Sequence, residues 1–285
     1  MKDLVVQGPA LTPAALDTFK VVCMPEHITV LGKAARCVTV RDDNETRRAV
    51  RGLSAYWKLD IAFVEPSSRL KDFRLLVLDM DSTLVNIETL DEVAAYAGQG
   101  AQVAAITEAA MRGELDYPES LRRRVEMLSG IDAGLLARVY DEKLALNDGA
   151  QRLVAECRRA GLKTLLATGG FTFFTDRVKA TLPIDYVRAN ELAITDGRLT
   201  GKVSGPHGGD IVDAAGKAQA VRDVCAEIGC ATSQSIAVGD GANDIKMMEL
   251  AGISVAYRAK PVVKERARFS LDYSPLDGVL NWFVE

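Results

Sequence analysis

Asp79 and Asp81 stand two residues apart at the end of the apolar run Leu75–Leu78, in the stretch RLLVLDMDSTLVN. Like charges that close repel, and a carboxylate buried without a partner is costly. The pair therefore calls for a cation between its members or for one member that reacts. In extended backbone, residues two apart point the same way. One carboxylate could then attack phosphorus while the other handles the leaving group's proton, and carboxylates do form aspartyl-phosphates. Two more stretches could complete such a site. In ATGGF, Thr168 offers a hydroxyl, and Gly169 and Gly170 offer open backbone N–H groups to phosphate oxygens. The blander account is a tight turn whose glycines supply positive φ. In GDGAND, Asp240 and Asp244 add carboxylates, and aspartates with a few waters suit Mg²⁺. Lys217, near the start of a helical pattern, could neutralise charge that develops on a transferred group.

These residues can meet only if the elements before them are parallel strands. Leu75–Leu78, Lys163–Ala167 and Ser235–Val238 each run into a polar loop, and helical patterns at 150–160 and 217–228 separate them. Strand and helix alternate as in a parallel sheet covered on both faces. Ligands bind such sheets beyond the carboxyl ends of the strands, so Asp79, Thr168 and Asp240 should converge. The Ala-, Leu-, Glu- and Arg-rich block from 88 to 144 interrupts the alternation and reads as an inserted helical cap, at about 88–146. Residues 1–70 carry the strand-like runs LVVQ, CVTV and DIAFV with helical stretches between them, a small α+β module. The polar EPSSRLK, 65–71, reads as the linker to a second domain, 71–285.

Composition excludes several functions. Apolar residues make up 48% and charged residues 26%, and the net charge of −4 leaves no broad basic field for nucleic acid. The run Arg122–Arg124 reads as a solvated helix face. Five cysteines without C-x-x-C spacing fit a reducing compartment, and two isolated histidines argue against structural zinc. The start, MKDLVVQGPAL, has too short an apolar run for a signal peptide, and no stretch approaches membrane-spanning length. The expectation is a cytoplasmic protein. A nucleotide-dependent kinase would carry G-x-x-x-x-G-K-[ST], and the chain has none.

DMDSTL, ATGGF, Lys217 in AGKAQ and GDGANDIKMM resemble, in order, the four motifs of the haloacid dehalogenase-like phosphatases. Within the cap, ETLDEVA and TEAAMRGELDYPESLRRRVEML, with LTGKV further on, look like the phosphoserine phosphatases. The resemblance implies an α/β fold with a Rossmann-like core, and a small ACT-like domain in front of it. It implies Mg²⁺-dependent hydrolysis of phosphoserine, with Asp79 as nucleophile and Asp81 as general acid/base. Asp79, the Asp81 main-chain carbonyl and Asp240 would hold Mg²⁺. Thr168, Gly169 and Lys217 would bind phosphate, while Asn243 and Asp244 support the site. Glu88 would take the substrate ammonium, Arg124 its carboxylate, and Met111 and Tyr117 would wall the pocket. The alternative is a related phosphatase or phosphotransferase acting on another small phosphorylated amino acid or alcohol. Thr168 replaces the family's usual Ser, and Tyr117 its usual Phe. The N-terminal module is a candidate homodimer contact.

Overall fold

The computed structural model describes residues 1–111 and 114–284, Met111 by its backbone alone. Residues 2–64 form a β-α-β-β-α-β unit: β1 (Lys2–Gln7), α1 (Pro13–Cys23), β2 (His27–Leu31), β3 (Ala34–Val40), α2 (Asn44–Trp57) and β4 (Asp60–Val64). Its antiparallel sheet runs β2-β3-β1-β4, the ferredoxin-like arrangement. Both helices start where side chains cap them: Thr12 accepts from the Ala15 N–H at 3.2 Å and Asp43 from that of Thr46 at 2.9 Å. Along β1, Leu4 and Val6 pack with Phe19 and Leu59 beneath the helices, while Val5 faces the core of the larger domain. Sequence analysis missed β2. It is an edge strand with Val30 60% and Leu31 53% exposed, so it shows no alternation of buried and exposed residues.

The unit is bonded to the rest of the chain through buried polar groups. The Asp60 carboxylate accepts backbone N–H groups of Asp272 and Ser274, each at 2.7 Å, and of Tyr273 at 3.2 Å. Arg36 pairs with Asp3 at 3.0 Å and donates to the Asn281 carbonyl at 3.1 Å.

The larger domain is built on β5 (Leu75–Leu78), followed by the cap helices α3 (Thr89–Tyr96), α4 (Gly100–Met111), α5 (Tyr117–Glu126) and α6 (Gly134–Lys143). Then come α7 (Ala150–Arg159), β6 (Lys163–Phe171), α8 (Thr172–Thr181), β7 (Tyr186–Thr195), β8 (Arg198–Ser204) and α9 (Ala214–Glu227). The chain closes with β9 (Ser235–Gly239), α10 (Ile245–Met248), β10 (Ile253–Tyr257), α11 (Pro261–Lys264) and β11 (Phe269–Leu271). The sheet order is β11-β10-β9-β5-β6-β7-β8, parallel except for β7–β8. In β5, Leu76 and Leu78 enter one core layer and Leu75 and Val77 the other. Burial on both faces explains why the run is continuously apolar. The first polar residue, Asp79, appears where the strand leaves the sheet.

The cap is joined to the core at two places. Its entering and leaving segments pair side by side, with Asn86 N–H donating to the Ala145 carbonyl at 3.0 Å and Asn147 N–H to that of Leu84 at 2.9 Å. The β7–β8 hairpin makes the second connection. The Gly130 N–H reaches the Leu199 carbonyl, the Ala133 N–H reaches that of Gly197, both at 2.8 Å, and the Leu199 N–H returns to Ile131 at 2.9 Å. Gly201 comes so close to the end of α5 that a Cβ there would lie 2.9 Å from Ser129 Cβ. The antiparallel hairpin departs from the strand–helix alternation expected of this region. Asp196-Gly197, both at positive φ, form its two-residue turn, and Asp-Gly is a strong hairpin signal.

Candidate active site

Four loops meet at the carboxyl edge of the sheet. After the last ladder bond of β5, from Asp79 N–H to the Val238 carbonyl at 3.0 Å, the chain makes a wide turn closed by Val85 N–H on the Met80 carbonyl at 2.9 Å. Buried Met80 and Leu84 anchor this turn, and Ser82 takes a positive φ of 55° within it. On α9, capped by Asp213, Lys217 is fully buried, and its ammonium donates to Asp79 Oδ1 at 2.6 Å and Asp244 Oδ1 at 2.7 Å. Asp244 Oδ2 accepts the N–H groups of Asp240 at 3.1 Å and Gly241 at 2.9 Å, which folds the loop after β9 around that carboxylate. Gly239 permits this approach, because a Cβ there would overlap Asp244. Thr83 Oγ1 donates to Asp240 Oδ1 at 2.9 Å.

Asp79, Asp240 and Asp244 each bring a carboxylate oxygen within 4.8 Å of the others. Burial, then the charge of Asp244, pushes Asp79 well above the usual carboxylate range, against the pull of Lys217. The same two causes raise Asp240 to about 6. Burial alone would favour neutral Lys217, but Asp244 and Asp79 outweigh it and hold the ammonium charged. Three carboxylates facing one ammonium leave room for a divalent cation. Although Asp244 belongs to the cluster by distance, both its oxygens are already engaged. Among the described residues no hydrogen bond reaches Asp79 Oδ2 or Asp240 Oδ2, so these oxygens are open to a cation, while Asp244 holds the loop that carries Asp240. The donor set is all oxygen and suits a hard cation.

Asp81 has different surroundings from Asp79. Its Oδ1 accepts the Thr89 N–H at the start of α3, at 3.1 Å. Burial, then the nearby charge of Glu88, raises it to about 7. Glu88 is exposed and accepts from the Ser82 hydroxyl at 2.7 Å. Thr168 Oγ1 accepts the Gly170 N–H at 2.8 Å. Neither Gly169 nor Gly170 has a positive φ; both are glycine for space. A Cβ on Gly169 would fall on the Tyr117 hydroxyl, and one on Gly170 would lie 2.8 Å from Met80 Cε and 2.9 Å from Asp81 Oδ2. Tyr117 thus brings the cap down onto the Thr168–Gly170 loop, and burial pushes its phenol up to about 12, so it stays a donor. Arg124, one face along α5, is half-buried, and its Nε donates weakly to the Ser120 carbonyl at 3.4 Å. Asn243 is half-buried in the turn 242–244. The side chain of Met111 lies outside the described residues.

Two residues of the site escaped sequence analysis. Thr83 ties the turn after β5 to Asp240, 157 positions away, and no local pattern announces so distant a partner. Asn190 is fully buried in β7; its amide donates to the Gly169 carbonyl and accepts the Val212 N–H, both at 2.8 Å. The signal there was a lone amide within a strand-like run, since a buried amide must be hydrogen-bonded.

Residues 76–249 match the haloacid dehalogenase-like hydrolases, and the chain belongs to that family. Within it, the chain is 53% identical over 217 residues to the phosphoserine phosphatase of Polaromonas sp. (strain JS666), covering 76% of this chain and 92% of that one. Among solved structures, a HAD family hydrolase from Salmonella enterica serovar Typhi superposes with a TM-score of 0.87 at 32% identity, covering 100% of this chain and 99% of that one. A probable phosphoserine phosphatase from Vibrio cholerae, in unliganded form, gives 0.84 at 34% identity, covering 99% and 86%.

Proposed function

We propose that this chain hydrolyses O-phospho-L-serine to L-serine and phosphate through an aspartyl-phosphate on Asp79, the last step of serine biosynthesis. The observation that carries the reading is the buried Asp79–Lys217–Asp244 network at the sheet's carboxyl edge, in a chain whose relatives are named phosphoserine phosphatases. Asp79 Oδ2 attacks phosphorus as the bond from phosphorus to the serine oxygen breaks. Asp81, poised near neutrality, gives its proton to that leaving oxygen. Ionised Asp81 then takes a proton from water as the water oxygen attacks the phosphorus, which frees Asp79 and regenerates the acid. Lys217 pulls Asp79 toward its anion against burial and the charge of Asp244, and offsets charge on the phosphoryl oxygens, which Thr168, Gly169 and Asn243 also bind.

Mg²⁺ is the proposed metal, held by Asp79, Asp240 and the Asp81 main-chain carbonyl, where it would neutralise phosphate charge. In the cap, Glu88 takes the ammonium and Arg124 the carboxylate in a bidentate grip. Met111 and Tyr117 wall the pocket. The cap excludes water during the first transfer. Its block, 88–146, is the inserted domain of the 71–285 phosphatase unit. Assaying phosphoserine, phosphothreonine and a sugar phosphate side by side with Mg²⁺ tests the substrate: strong preference for phosphoserine is expected, and equal rates would refute it.

Two further readings accompany this one. Five free cysteines support a reducing, cytoplasmic setting. The exposed edge of β2, with Val21 on α1 and Met24 just after it, supports homodimerisation through the ACT-like residues 1–70. Light scattering of wild type and Leu31→Glu checks this: a dimer should become a monomer.

A further inference from the structure

We infer that Asn147 is a positioning residue that ties the cap's hinge to the metal-binding carboxylate of Asp240. The inference rests on the metal site proposed above. The turn after β5 leaves backbone carbonyls outside any helix or strand ladder, and buried carbonyls require donors. Asn147, on the segment leaving the cap, supplies them. Its Nδ2 lies 2.8 Å from the Thr83 carbonyl, 3.1 Å from that of Val85 and 3.5 Å from that of Ser82. Three acceptors around one atom fix the amide's orientation, because its oxygen in that place would meet only oxygens. The main chain of Asn147 is itself part of the hinge, through its N–H on the Leu84 carbonyl.

Thr83 is therefore held from two sides. Asn147 holds its carbonyl, and its hydroxyl donates to Asp240 Oδ1 at 2.9 Å. That second bond engages Oδ1 and leaves Asp240 Oδ2 without a hydrogen-bond donor among the described residues, in a carboxylate that has an oxygen within 4.8 Å of one on Asp79. Hinge, turn and carboxylate form one continuous chain, Asn147–Thr83–Asp240, and a shift of the paired segments 84–86 and 145–147 is carried to the metal oxygens. Loss of Asn147 should loosen the metal site before it touches the groups that read serine.

The test titrates MgCl₂ against purified full-length protein and reads both the metal-dependent rise in melting temperature and the Mg²⁺ concentration giving half-maximal phosphatase rate. Asn147→Ala and Thr83→Val should each raise both midpoints about 5- to 20-fold, with a smaller change in KM for phosphoserine. The double variant should be no worse than the poorer single one, since residues acting along one chain are not additive. Thr83→Ser, which keeps the hydroxyl, should restore the wild-type midpoint. If Asn147→Ala does not fold, Asn147→Ser carries the same measurement. Lower melting temperature with unchanged Mg²⁺ midpoints, or additive effects in the double variant, would overturn the inference. Asp240→Asn separates it from the metal assignment: a Mg²⁺ response that survives this change refutes the site itself, whereas its loss beside a normal Asn147→Ala refutes only the coupling.

Discussion

The two ends of the site handle charge in opposite ways. At the sheet edge, Lys217, Asp79 and Asp244 are buried and locked at 2.6 and 2.7 Å, with every oxygen of Asp244 engaged. On the cap, Glu88 is exposed and Arg124 half-buried with one weak bond to its own helix. The buried end must be complete before substrate arrives, because charges removed from water need partners already in place. On the proposed reading, the cap end keeps its charges hydrated until the substrate's ammonium and carboxylate replace the water. On that reading chemistry is built into the folded core, and selectivity is assembled on binding.

That contrast can be broken most severely at Asp79. Replacement by Asn removes the proposed nucleophile but keeps the shape, so turnover should fall by several orders of magnitude with the melting curve nearly unchanged; steady-state assay and calorimetry read both. Lys217→Met should do the reverse in kind. Three crowded carboxylates lose their buried counter-charge, and breaking such a pair costs about 3–5 kcal/mol, read by urea unfolding in chelator; unaltered stability would mean that the network is not pre-built. Arg124→Ala should leave stability within about 0.5 kcal/mol and raise KM for phosphoserine roughly 100-fold, the scale of a lost charge-assisted contact. It should matter far less for a phosphate ester without a carboxylate. A comparable loss on both substrates would remove the distinction between the two ends.

The finest test lies where the ends touch. The charge of Glu88 helps raise Asp81 toward neutrality, so Glu88→Gln should lower that carboxyl's pKa. With protonated Asp81 as the proposed donor, phosphorylation of the enzyme should slow as pH rises through its pKa. In Glu88→Gln the slowing should begin at lower pH in single-turnover measurements at saturating phosphoserine. A bound cation draws both curves down together, and the difference between them keeps its sign.

Much of this was legible from residues alone, for physical reasons that also explain the gaps. β5 stands out because both its faces are buried, and the loops that follow strands carry paired acids in DMDST, paired glycines in TGGF and both in GDGAND. The helical block 88–144 is plain from its residue types, as is the alternation in residues 1–70. Partners across the fold were not readable: Thr83 with Asp240, Asn190 with Gly169, and Asp60 with the backbone of 272–274 depend on contacts that no local period encodes. Gly169 and Gly170 were readable as glycines but not for their reason, which is the approach of Tyr117, Met80 and Asp81 rather than the sign of φ. The Asp79–Asp81 spacing suggested one shared direction. In the folded chain one carboxylate meets the Lys217 ammonium and the other the N–H at the start of α3.

The β7–β8 hairpin has a mechanical consequence. A lid attached along one margin can swing clear; this one is also stitched to the sheet through 130–133 and 197–199, and α5 rests on β8. Tyr117 and Arg124 ride on α5, so Tyr117 keeps its place over the Thr168–Gly170 loop, and Arg124 its place relative to Tyr117, unless those stitches part. The α4 side of the cap has no such stitch to the sheet among the bonds named here; α4 packs on α3 and α5, so freedom to yield is left to that side.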